Sequence, residues 1–408
     1  MKLTISSHQP LLKASISISG SKSESNRLLI LQQLFKNVQI ENCSDSDDSE
    51  HLKAALNSTS SQINIGHAGT AMRFLTAFYA VQEGKEYVLT GSERMQERPI
   101  KILVDALQSL GAKISYEAEE GYPPLRIQGT TLTENQVQIE GNVSSQYISA
   151  LLLIAPSLEK GLQINLVGEL TSLPYVKMTL ALLEQIGVQV QFNKQSIRIW
   201  PLKEVSKKKI VVESDWSSAS YFYSLVALSE LGSEITLNYF REDSLQGDAC
   251  LASIYRNFGV ETFFSKNGVI LTKIASPVAN FLTLDLKDAP DIAQTIAVTS
   301  FGLGMSCDLL GLHTLKIKET DRLVALQVEL TKLGATVAIT DYSLHLSNSK
   351  NINEHISIET YKDHRMAMAF APLALKIPIS ILEADVVSKS YPNFWKDLQE
   401  FDFQLDQA

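Results

Sequence analysis

Stretches with a helical spacing of apolar residues alternate with short polar turns along most of this chain. Four of these stretches end in a glycine that is followed by a strand-like segment, as at residues 330–339. Glycine in this place is typical of a helix C-cap, because it adopts the left-handed conformation without steric cost. The glycines lie 72 to 76 residues apart and are Gly111, Gly187, Gly259 and Gly334. This pattern predicts structural repeats of similar length.

Polar residues that begin strongly apolar helices recur with nearly the same period. They are Gly69, Ser145, Ser218, Asp291 and Asp363. A shorter first repeat fits residues 21–61, in which Asp45 to Asp48 would cap a helix from Ser49 to Leu56. A degenerate copy of the helix end follows at residues 398–403. The sequence therefore predicts six α/β units.

The clearest interruption of the pattern is a basic, weakly apolar stretch at residues 204–209, with three predicted units on each side. Such a stretch is typical of an exposed connection or a strand end. We therefore predict two domains. One consists of residues 1–20, with a predicted strand from Lys2 to Ser19, together with residues 214–408. The other consists of residues 21–213.

The first predicted helix carries a cation where a cation is unfavourable. Ser21 and Glu24 have the spacing of a capping box, in which each side chain accepts a hydrogen bond from a backbone N–H. Lys22 lies beside the positive end of the helix dipole. We infer that an anion binds there. Ser23 and Arg27 lie four residues apart on one helical face, so both can contact the same anion.

Cations recur in the first turns of other predicted helices, at Arg73, Lys318, Arg322 and Arg365. Two interpretations are open. Each cation pairs with a neighbouring carboxylate, as Arg365 with Asp363 or Arg322 with Asp321, or several cations share one anionic ligand. The repetition favours a shared ligand. Further candidates for the same role are Arg98 and Lys389, for each of which a surface salt bridge is the alternative.

Glu319 and Asp291 are the candidate acid/base residues, because each stands at a helix start among cations. Helix capping is the alternative role, above all for Asp291, which follows Pro290. Helix capping is also the alternative to a role in the site for the hydroxyl groups of residues 144–145 and 217–218. His364 has no second His or Cys at metal-ligand spacing, so we expect it to support its neighbours.

Composition narrows the class of protein. The chain has 408 residues, of which 45% are hydrophobic and 20% charged, as in ordinary enzymes. Its net charge of −9 argues against a general nucleic-acid or anionic-membrane surface. Three cysteines without metal-type spacing predict neither a disulfide framework nor a Cys-based zinc site, and we expect them in the core. Residues 1–8 lack the apolar core of a signal peptide, and no run approaches the length of a membrane-spanning helix, so we expect a cytoplasmic protein.

Six short motifs occur in order between Gly20 and Pro392. They are Gly20-Ser21-Lys22-Ser23-x-Ser25-Asn26-Arg27, Gly69-Thr70-Ala71-Met72-Arg73, Arg94-Met95-x-Glu97-Arg98-Pro99, Ser144-Ser145-Gln146, Lys318-Glu319-Thr320-Asp321-Arg322-Leu323 and Asp363-His364-Arg365-Met366-Ala367-Met368. Together they resemble the ordered motifs of the 5-enolpyruvylshikimate-3-phosphate synthase family. The resemblance implies an α/β fold of two domains, each with three βαβαββ units, and an active site in the cleft between them. It also implies a monomer that needs no metal or organic cofactor.

The resemblance assigns site residues one by one. Shikimate-3-phosphate would contact Lys22, Ser23, Arg27, Ser144, Ser145, Gln146, Ser172, Tyr175, Asp291 and Lys318. Phosphoenolpyruvate would contact Lys22, Gly69, Arg98, Gln146, Arg322, Arg365 and Lys389. The chain departs from the common family pattern at Ser19, at His67, where Asn is frequent, and at Thr314, where Asn is also frequent.

The implied reaction adds the 5-hydroxyl of shikimate-3-phosphate to C2 of phosphoenolpyruvate and then eliminates phosphate. By resemblance, Asp291 takes the hydroxyl proton, while Glu319 and Lys22 serve proton transfer at the enolpyruvyl carbon. Because the site residues come from both predicted domains, we expect the domains to close on the substrates.

Two other functions are compatible with parts of the pattern. One is a carboxyvinyl transferase of the same fold that acts on a UDP-amino sugar. That relative usually has a reactive loop cysteine and lacks the Ser21-Lys22-Ser23 arrangement. The other is a non-catalytic anion-binding or sugar-phosphate-binding protein, against which the acid/base pair Asp291 and Glu319 argues.

Overall fold

The structure is a computed structural model, which describes residues 1–7, 11–141, 144–168, 170, 173–193, 195–349 and 351–407. The strands in these ranges are β1 Leu3–Ser6, β2 Lys13–Ile16, β3 Val38–Glu41, β4 Gln62–Asn64, β5 Glu86–Thr90, β6 Lys113–Tyr116, β7 Leu125–Gln128, β8 Gln136–Glu140, β9 Leu162–Val167, β10 Val190–Phe192, β11 Ser196–Ile199, β12 Lys208–Val211, β13 Glu234–Asn238, β14 Val260–Ser265, β15 Gly268–Lys273, β16 Phe281–Asp285, β17 Ser306–Leu310, β18 Val337–Ile339, β19 Leu344–Leu346, β20 Ser357–Ile358, β21 Ile379–Ile381 and β22 Gln404–Gln407. The helices are α1 Lys22–Leu34, α2 Asp47–Asn57, α3 Gly69–Ala80, α4 Glu93–Gln96, α5 Lys101–Ser109, α6 Ser145–Ile154, α7 Leu173–Gln185, α8 Trp216–Leu228, α9 Leu251–Ile254, α10 Ala293–Gly302, α11 Arg322–Lys332, α12 His364–Phe370 and α13 Phe394–Gln399. None of the helices in these ranges is long and apolar enough to cross a membrane.

A complete repeat has the order β-α-β-α-β-β and folds into a four-stranded sheet. In the first complete repeat, β4, β5, β7 and β6 lie side by side in that order. β4 pairs in parallel with β5, whereas β7 pairs antiparallel with both β5 and β6. The sheets β10-β11-β9-β8 and β16-β17-β19-β18 have the same topology. The predicted α/β repeats are confirmed.

The glycines that end the repeated helices are left-handed, as predicted. Their φ angles are 102° at Gly111, 97° at Gly187, 76° at Gly259 and 100° at Gly334. At Gly259 a second requirement is added, because a Cβ atom would overlap the carbonyl group of Ala275. In the degenerate last copy, Asp402 takes this conformation, with a φ of 59°. The predicted C-caps are therefore confirmed, since left-handed backbone strongly favours glycine.

The chain forms two compact units. Met1–Ser19 and Glu213–Ala408 form one of them, called unit 1 below, and Gly20–Val212 forms the other, called unit 2. The sheets of unit 1 are β14-β15-β13-β2, β16-β17-β19-β18 and β20-β21-β1-β22. The sheets of unit 2 are β12-β3, β4-β5-β7-β6 and β10-β11-β9-β8.

Two strands pair outside the repeat to which the chain order assigns them. β2 directly precedes α1 and β3, yet it pairs in parallel with β13. Conversely, β12 precedes α8 and β13, yet it pairs in parallel with β3. The prediction of one N-terminal strand is wrong, because this segment forms β1 and β2, which belong to different sheets of unit 1.

Buried helices form the centre of each unit. In unit 1, α8, α10 and α12 pack against one another, and nearly all of their residues are buried. In unit 2, α1, α3 and α6 pack together in the same way. Four of these helices, α3, α6, α8 and α10, consist mainly of apolar and small residues, which is the pattern of a helix enclosed on every side. Hydroxyl groups satisfy one another between them, as in the 3.0 Å contact of Ser220 with Thr295.

The N-termini of the buried helices lie close together within each unit. In unit 2, Gln146 at the start of α6 donates to Thr70 at the start of α3, at 3.2 Å. In unit 1, Arg365 at the start of α12 donates to Ser217 at the start of α8, at 3.3 Å. Because helix N-termini carry partial positive charge and free N–H groups, such a group of them attracts anions.

Candidate active site

Arg322, the first residue of α11, binds three carboxylates in unit 1. Its Nε donates to Asp363 at 2.6 Å, its Nη1 to Asp291 at 2.9 Å and its Nη2 to Glu319 at 2.8 Å. The side chain is only 2% exposed. Burial by itself lowers the pKa of the guanidinium, but the three carboxylates outweigh burial and hold the pKa above its ordinary value. Arg322 is therefore a fixed positive charge that holds both predicted acid/base residues.

Asp291 lies in a 3₁₀ turn, Pro290–Ile292, directly before α10. Its carboxylate lies 3.4 Å from Lys318 Nζ and 3.3 Å from Arg365 Nη2, in addition to its contact with Arg322. Burial alone raises the pKa of Asp291, yet the opposing charges, led by Arg365, hold it well below its ordinary value. The carboxylate is thus ionised and held by cations, which a helix-capping role alone does not explain.

Glu319 connects Arg322 to a second cation. Its Oε1 accepts a hydrogen bond of 2.7 Å from Nζ of Lys389, which ends the 3₁₀ helix Ala384–Lys389 and is largely buried. Unit 1 thus brings together all of the site residues that the sequence predicts in it. We call this group, with Asp363, the ion cluster; its members are Asp291, Lys318, Glu319, Arg322, Asp363, Arg365 and Lys389.

The two ion pairs proposed from sequence, Arg322 with Asp321 and Arg365 with Asp363, are wrong. Asp321 is the N-cap of α11 and accepts from the backbone N–H groups of Leu323 and Val324. Asp363 caps α12, accepting from the backbone N–H of Arg365, while its side-chain partner is Arg322. Asp321 and Asp363 thus accept hydrogen bonds from backbone N–H groups at the helix starts. The guanidinium groups of Arg322 and Arg365 pair instead with carboxylates of other elements.

Two residues next to the ion cluster were missed by sequence reasoning. Asp248 is buried in the 3₁₀ helix Gly247–Cys250, and its carboxylate accepts a short hydrogen bond from Ser217, which also contacts Arg365. Burial, followed by the nearby charge of Asp291, raises the pKa of Asp248 to about 6. No motif surrounds Asp248. Ser217 was assigned only a capping role, whereas the cap of α8 is Asp215.

Other predictions near the cluster are settled by burial. His364 is 1% exposed, and its ring lies 3.7 Å from Asp363, so it supports a neighbour as expected. Thr314 lies in the 3₁₀ helix His313–Ile317, and its buried Oγ1 has no hydrogen-bond partner among the described residues. Of the cysteines, only Cys307 is in the core, while Cys43 and Cys250 are partly exposed.

Arg98 lies against the first residue of α3 in unit 2. A Cβ atom on Gly69 would lie 2.9 Å from Cζ of Arg98 and overlap its Nη1. Arg73 lies nearby and donates to the carbonyl groups of Gly69 and Pro99. Burial and the charge of Arg98 lower the pKa of Arg73 to about 10. No carboxylate of the described residues is paired with Arg73 or Arg98, so two like charges face this helix start without neutralisation.

The predicted residues at the start of α6 surround its first turn. Ser144 is the N-cap, and its Oγ accepts from the backbone N–H of Gln146 at 3.4 Å. Ser145 is nearly buried, and the side chain of Gln146 contacts Thr70, which follows Gly69. The structure therefore brings Gln146 to the same helix starts as Gly69.

The guanidinium of Arg27 is buried and donates hydrogen bonds to several other residues of unit 2. Its guanidinium donates to Thr179 at 2.7 Å, to the Ser23 carbonyl at 2.8 Å and to Ser149 at 3.0 Å. It also contacts the backbone carbonyl and the ring of Tyr175. Burial lowers the pKa of Arg27 to about 10. The structure thus gives Arg27 a bracing role between α1, α6 and α7. Ser172, the remaining predicted residue here, lies outside the described residues.

Lys22 begins α1 and pairs with a carboxylate. Its Nζ lies 3.2 Å from Asp48 Oδ2, and Asp48 Oδ1 lies 3.9 Å from Nε2 of His67. The predicted capping box is not formed as expected, because the Ser21 side chain accepts no cap hydrogen bond. The predicted helix after Asp45 is confirmed, although it begins earlier, at Asp47, with Ser46 as the N-cap.

The family model described as EPSP synthase (3-phosphoshikimate 1-carboxyvinyltransferase) matches residues 52–398. The chain belongs to the EPSP synthase family. A 3-phosphoshikimate 1-carboxyvinyltransferase of Bacteroides fragilis strain YCH46 is 45% identical over 399 residues, which cover 97% of this chain and 96% of that protein. The enzyme of the same name from Vibrio cholerae strain M66-2 is 37% identical, covering 94% of this chain and 96% of that protein.

Solved structures show the same fold. EPSP synthase from Acinetobacter baumannii superimposes with a TM-score of 0.79 at 20% identity, covering all of both chains. The enolpyruvyl transferase NikO from Streptomyces tendae gives a TM-score of 0.74 at 13% identity, covering all of this chain and 98% of that one. The predicted family and the enolpyruvyl transferase fold are confirmed, and this member of the EPSP synthase family is a transferase.

Proposed function

We propose that this chain transfers the carboxyvinyl group of phosphoenolpyruvate to the 5-hydroxyl of shikimate-3-phosphate and releases inorganic phosphate. The reaction belongs to the shikimate pathway of aromatic amino-acid biosynthesis. The observation that carries the proposal is the attachment of Asp291 and Glu319 to one buried guanidinium, that of Arg322. Two carboxylates fixed beside several cations suit a reaction that moves protons between anionic substrates.

Both substrates carry a phosphate and a carboxylate, so their binding requires cations that overcome mutual repulsion. Arginine suits these groups because its planar fork donates two parallel hydrogen bonds, and lysine supplies a compact charge. We propose that shikimate-3-phosphate contacts Lys22, Ser23, Arg27, Ser144, Ser145, Gln146, Ser172, Tyr175, Asp291 and Lys318. We propose that phosphoenolpyruvate contacts Lys22, Gly69, Arg98, Gln146, Arg322, Arg365 and Lys389.

In the proposed first step, the 5-hydroxyl oxygen forms a bond to C2 of phosphoenolpyruvate while C3 gains a proton. Asp291 takes the hydroxyl proton, and Glu319 and Lys22 serve the proton transfer at C3. In the second step the C2–phosphate bond breaks and C3 returns one proton, which restores the double bond. A positioned acid or base of this kind contributes about 10²- to 10⁴-fold to the rate.

Substrate binding also strengthens Asp291 as a base. Arg365, Lys318 and Arg322 keep the pKa of Asp291 low, and a carboxylate with a low pKa accepts a proton poorly. Anionic substrates that engage the same cations reduce their hold on Asp291. The pKa of Asp291 then rises towards the range in which general bases work efficiently. Binding and proton acceptance are coupled in this proposal.

The decisive experiment is an assay of phosphate release from phosphoenolpyruvate with two acceptors. Release with shikimate-3-phosphate and none with UDP-N-acetylglucosamine is the expected result. Release only with the UDP-sugar would assign the chain to the other carboxyvinyl transfer. Tight binding of both anions without any phosphate release would instead indicate a binding protein.

Variants test the assignment of residues. Lys22→Ala and Arg98→Ala are expected to lose at least about 100-fold in kcat/KM, because each removes a charge that the substrates need, while unfolding midpoints stay close to wild type. Lys316→Ala is the matched control, since Lys316 forms an exposed pair with Asp341. Wild-type rates in the first two variants would refute the site assignment.

We further propose that the chain acts as a monomer in the cytoplasm. Multi-angle light scattering of the purified protein at its assay concentration tests the first part, and a mass of a dimer would refute it. Fractionation of cells that produce the protein tests the second part.

A further inference from the structure

His67 lies next to the carboxylate that pairs with Lys22. Nε2 of His67 is 3.9 Å from Asp48 Oδ1, and Nζ of Lys22 is 3.2 Å from Asp48 Oδ2. Asp48 is 5% exposed, whereas the side chain of His67 is 43% exposed. One buried carboxylate is therefore placed between a lysine and an imidazole that solvent reaches.

The charged and titratable groups around His67 come from three elements. α1 contributes Lys22, and α2 contributes Asp48 and His51, whose ring packs edge-on against His67 with centroids 5.5 Å apart. His51 is itself anchored, because its Nδ1 lies 2.7 Å from the carbonyl oxygen of Asp47. The side chain of Arg98 lies against Gly69, two residues after His67. In this environment Asp48 is the anion that His67 faces.

We propose that His67 is a positioning residue that sets, through Asp48, how strongly Lys22 attracts an anionic substrate, so that substrate affinity weakens as the imidazole loses its proton. The inference rests on the proposed function only in naming phosphoenolpyruvate as the anion. It deepens that function by adding a pH-dependent control at a position where the chain departs from the common family residue.

The physical reason is a charge count. With a neutral imidazole, Lys22 and Asp48 cancel, and the trio of Lys22, Asp48 and His67 carries no net charge. With an imidazolium, the trio carries one positive charge, and Asp48 is shared between two cations. Lys22 is then held less tightly and is more available to a phosphate or carboxylate. Histidine is suited to this role because its charge ordinarily changes between about pH 5 and pH 8.

The test compares the pH dependence of the KM for phosphoenolpyruvate in wild type and His67→Asn, from about pH 5.5 to about pH 8.5. The substrate phosphates also titrate in this range, with a second pKa near 6, but they do so equally for both proteins. The ratio of the variant KM to the wild-type KM is expected to be about three to ten at the acidic end and to approach one at the alkaline end, since water partly screens an exposed charge. The value of kcat should change by less than about twofold in the same comparison.

Two control variants locate the effect. His51→Gln removes the neighbouring imidazole, and His355→Asn removes one that is 93% exposed and lies in unit 1. For both control variants, the ratio of the variant KM to the wild-type KM is expected to stay near one across the pH range. Superimposable curves for wild type and His67→Asn, or a loss of pH dependence in His51→Gln instead, would overturn the inference. His67→Gln serves in place of His67→Asn if the latter folds poorly.

A measurement that does not use activity separates this inference from the proposed function. Addition of phosphoenolpyruvate to the full-length protein should raise the NMR titration midpoint of the His67 ring, because anion binding and protonation favour each other. Asp48→Asn should lower that midpoint. Unchanged midpoints in both experiments would overturn the inference even in an active enzyme. Shifted midpoints without any phosphate release would refute the proposed function alone.

Discussion

The guanidinium of Arg98 occupies the space that a side chain at position 69 would need. A Cβ atom on Gly69 would lie 2.9 Å from Cζ of Arg98 and overlap its Nη1. Gly69 is the first residue of α3, so the absence of a side chain brings a cation directly against a helix N-terminus. Arg73 adds a second cation at the same place. The conformation of Gly69 needs no special freedom, so the requirement for glycine here comes from space alone.

Gly69→Ala should therefore weaken substrate binding without harming the fold. The methyl group displaces the mobile end of Arg98, and we expect the KM for phosphoenolpyruvate to rise by about tenfold or more, with an unfolding midpoint near wild type. Steady-state kinetics and thermal unfolding measure the two effects. In an Arg98→Ala background the same glycine substitution should add little, because no guanidinium fills the space. Full additivity of the two losses would contradict the geometric explanation.

Arg322 should prove essential for stability as well as activity. Arg322→Met leaves Asp291, Glu319 and Asp363 close together without their shared cation, and we expect a loss of about 3 to 5 kcal/mol in the free energy of unfolding. Chemical denaturation monitored by circular dichroism measures this loss. Arg94→Met is the control, because Arg94 forms only an exposed pair with Glu97 and its removal should leave stability nearly unchanged. Equal stabilities for the two variants would show that the ion cluster does not hold unit 1 together.

Asp248 should make stability depend on pH between about 4 and 6. Its pKa is raised from 3.8 to about 6, so the folded protein keeps a proton that the unfolded chain has lost in this window. Stability contributed by this proton is fully present at the acidic side of the window and is lost as the pH rises through 6. Asp248→Asn has no such proton to lose. Its free energy of unfolding should therefore increase by about 3 kcal/mol relative to that of wild type as the pH rises across the window.

The measurement is a series of denaturation curves for wild type and Asp248→Asn at several pH values. Asp406→Asn serves as the control, because Asp406 is exposed on β22 and should give a difference that does not change with pH. A flat difference for Asp248→Asn as well would show that this carboxylate ionises normally in the folded protein.

Gln294 should be replaceable by an apolar residue with a gain in stability. It is fully buried in α10, and neither side-chain amide atom has a hydrogen-bond partner among the described residues. Gln294→Met keeps the shape and removes the unsatisfied amide, so we expect a gain of about 1 kcal/mol. The matched control is Gln246→Met. The Gln246 amide accepts from Trp216 and donates to the Ser214 carbonyl, so the same change there should cost about 1 to 3 kcal/mol. A loss of similar size in both variants would indicate that Gln294 is satisfied in solution.

The repeats and much of the ion cluster could be predicted from sequence because their signals are local. Left-handed glycines mark helix ends, polar residues mark helix starts, and Lys318 to Arg322 lie within one short motif. The order of these motifs along the chain was sufficient to recognise the family. Local pairing rules failed at Asp321 and Asp363, because a carboxylate next to a helix start satisfies backbone N–H groups before it pairs with the next arginine.

Other parts of the structure depend on distant contacts and could not be predicted. Asp248 gains its role only because its 3₁₀ helix packs beside α8, and nothing in its neighbourhood in sequence indicates this. The hydrogen bonds that Arg27 donates to Ser149 and Thr179, from two other helices, could not be predicted from its local sequence. Residues 1–20 were predicted to join residues 214–408, but the particular partners, β13 for β2 and β3 for β12, could not be predicted because neither strand carries a local mark of its partner.

The pairing of β1 and β2 with distant strands affects the order in which the two units can complete their sheets during translation. β1 and β2 precede all of unit 2 along the chain, whereas their partners β13, β21 and β22 follow it. At about 5 to 20 residues per second, tens of seconds pass between the translation of β1 and β2 and that of their partner strands. Unit 2, in contrast, has all of its strands once β12 is translated. Unit 2 therefore has its full set of strands while β1 and β2, which include the apolar residues Leu3 and Ile5, still lack their partner strands.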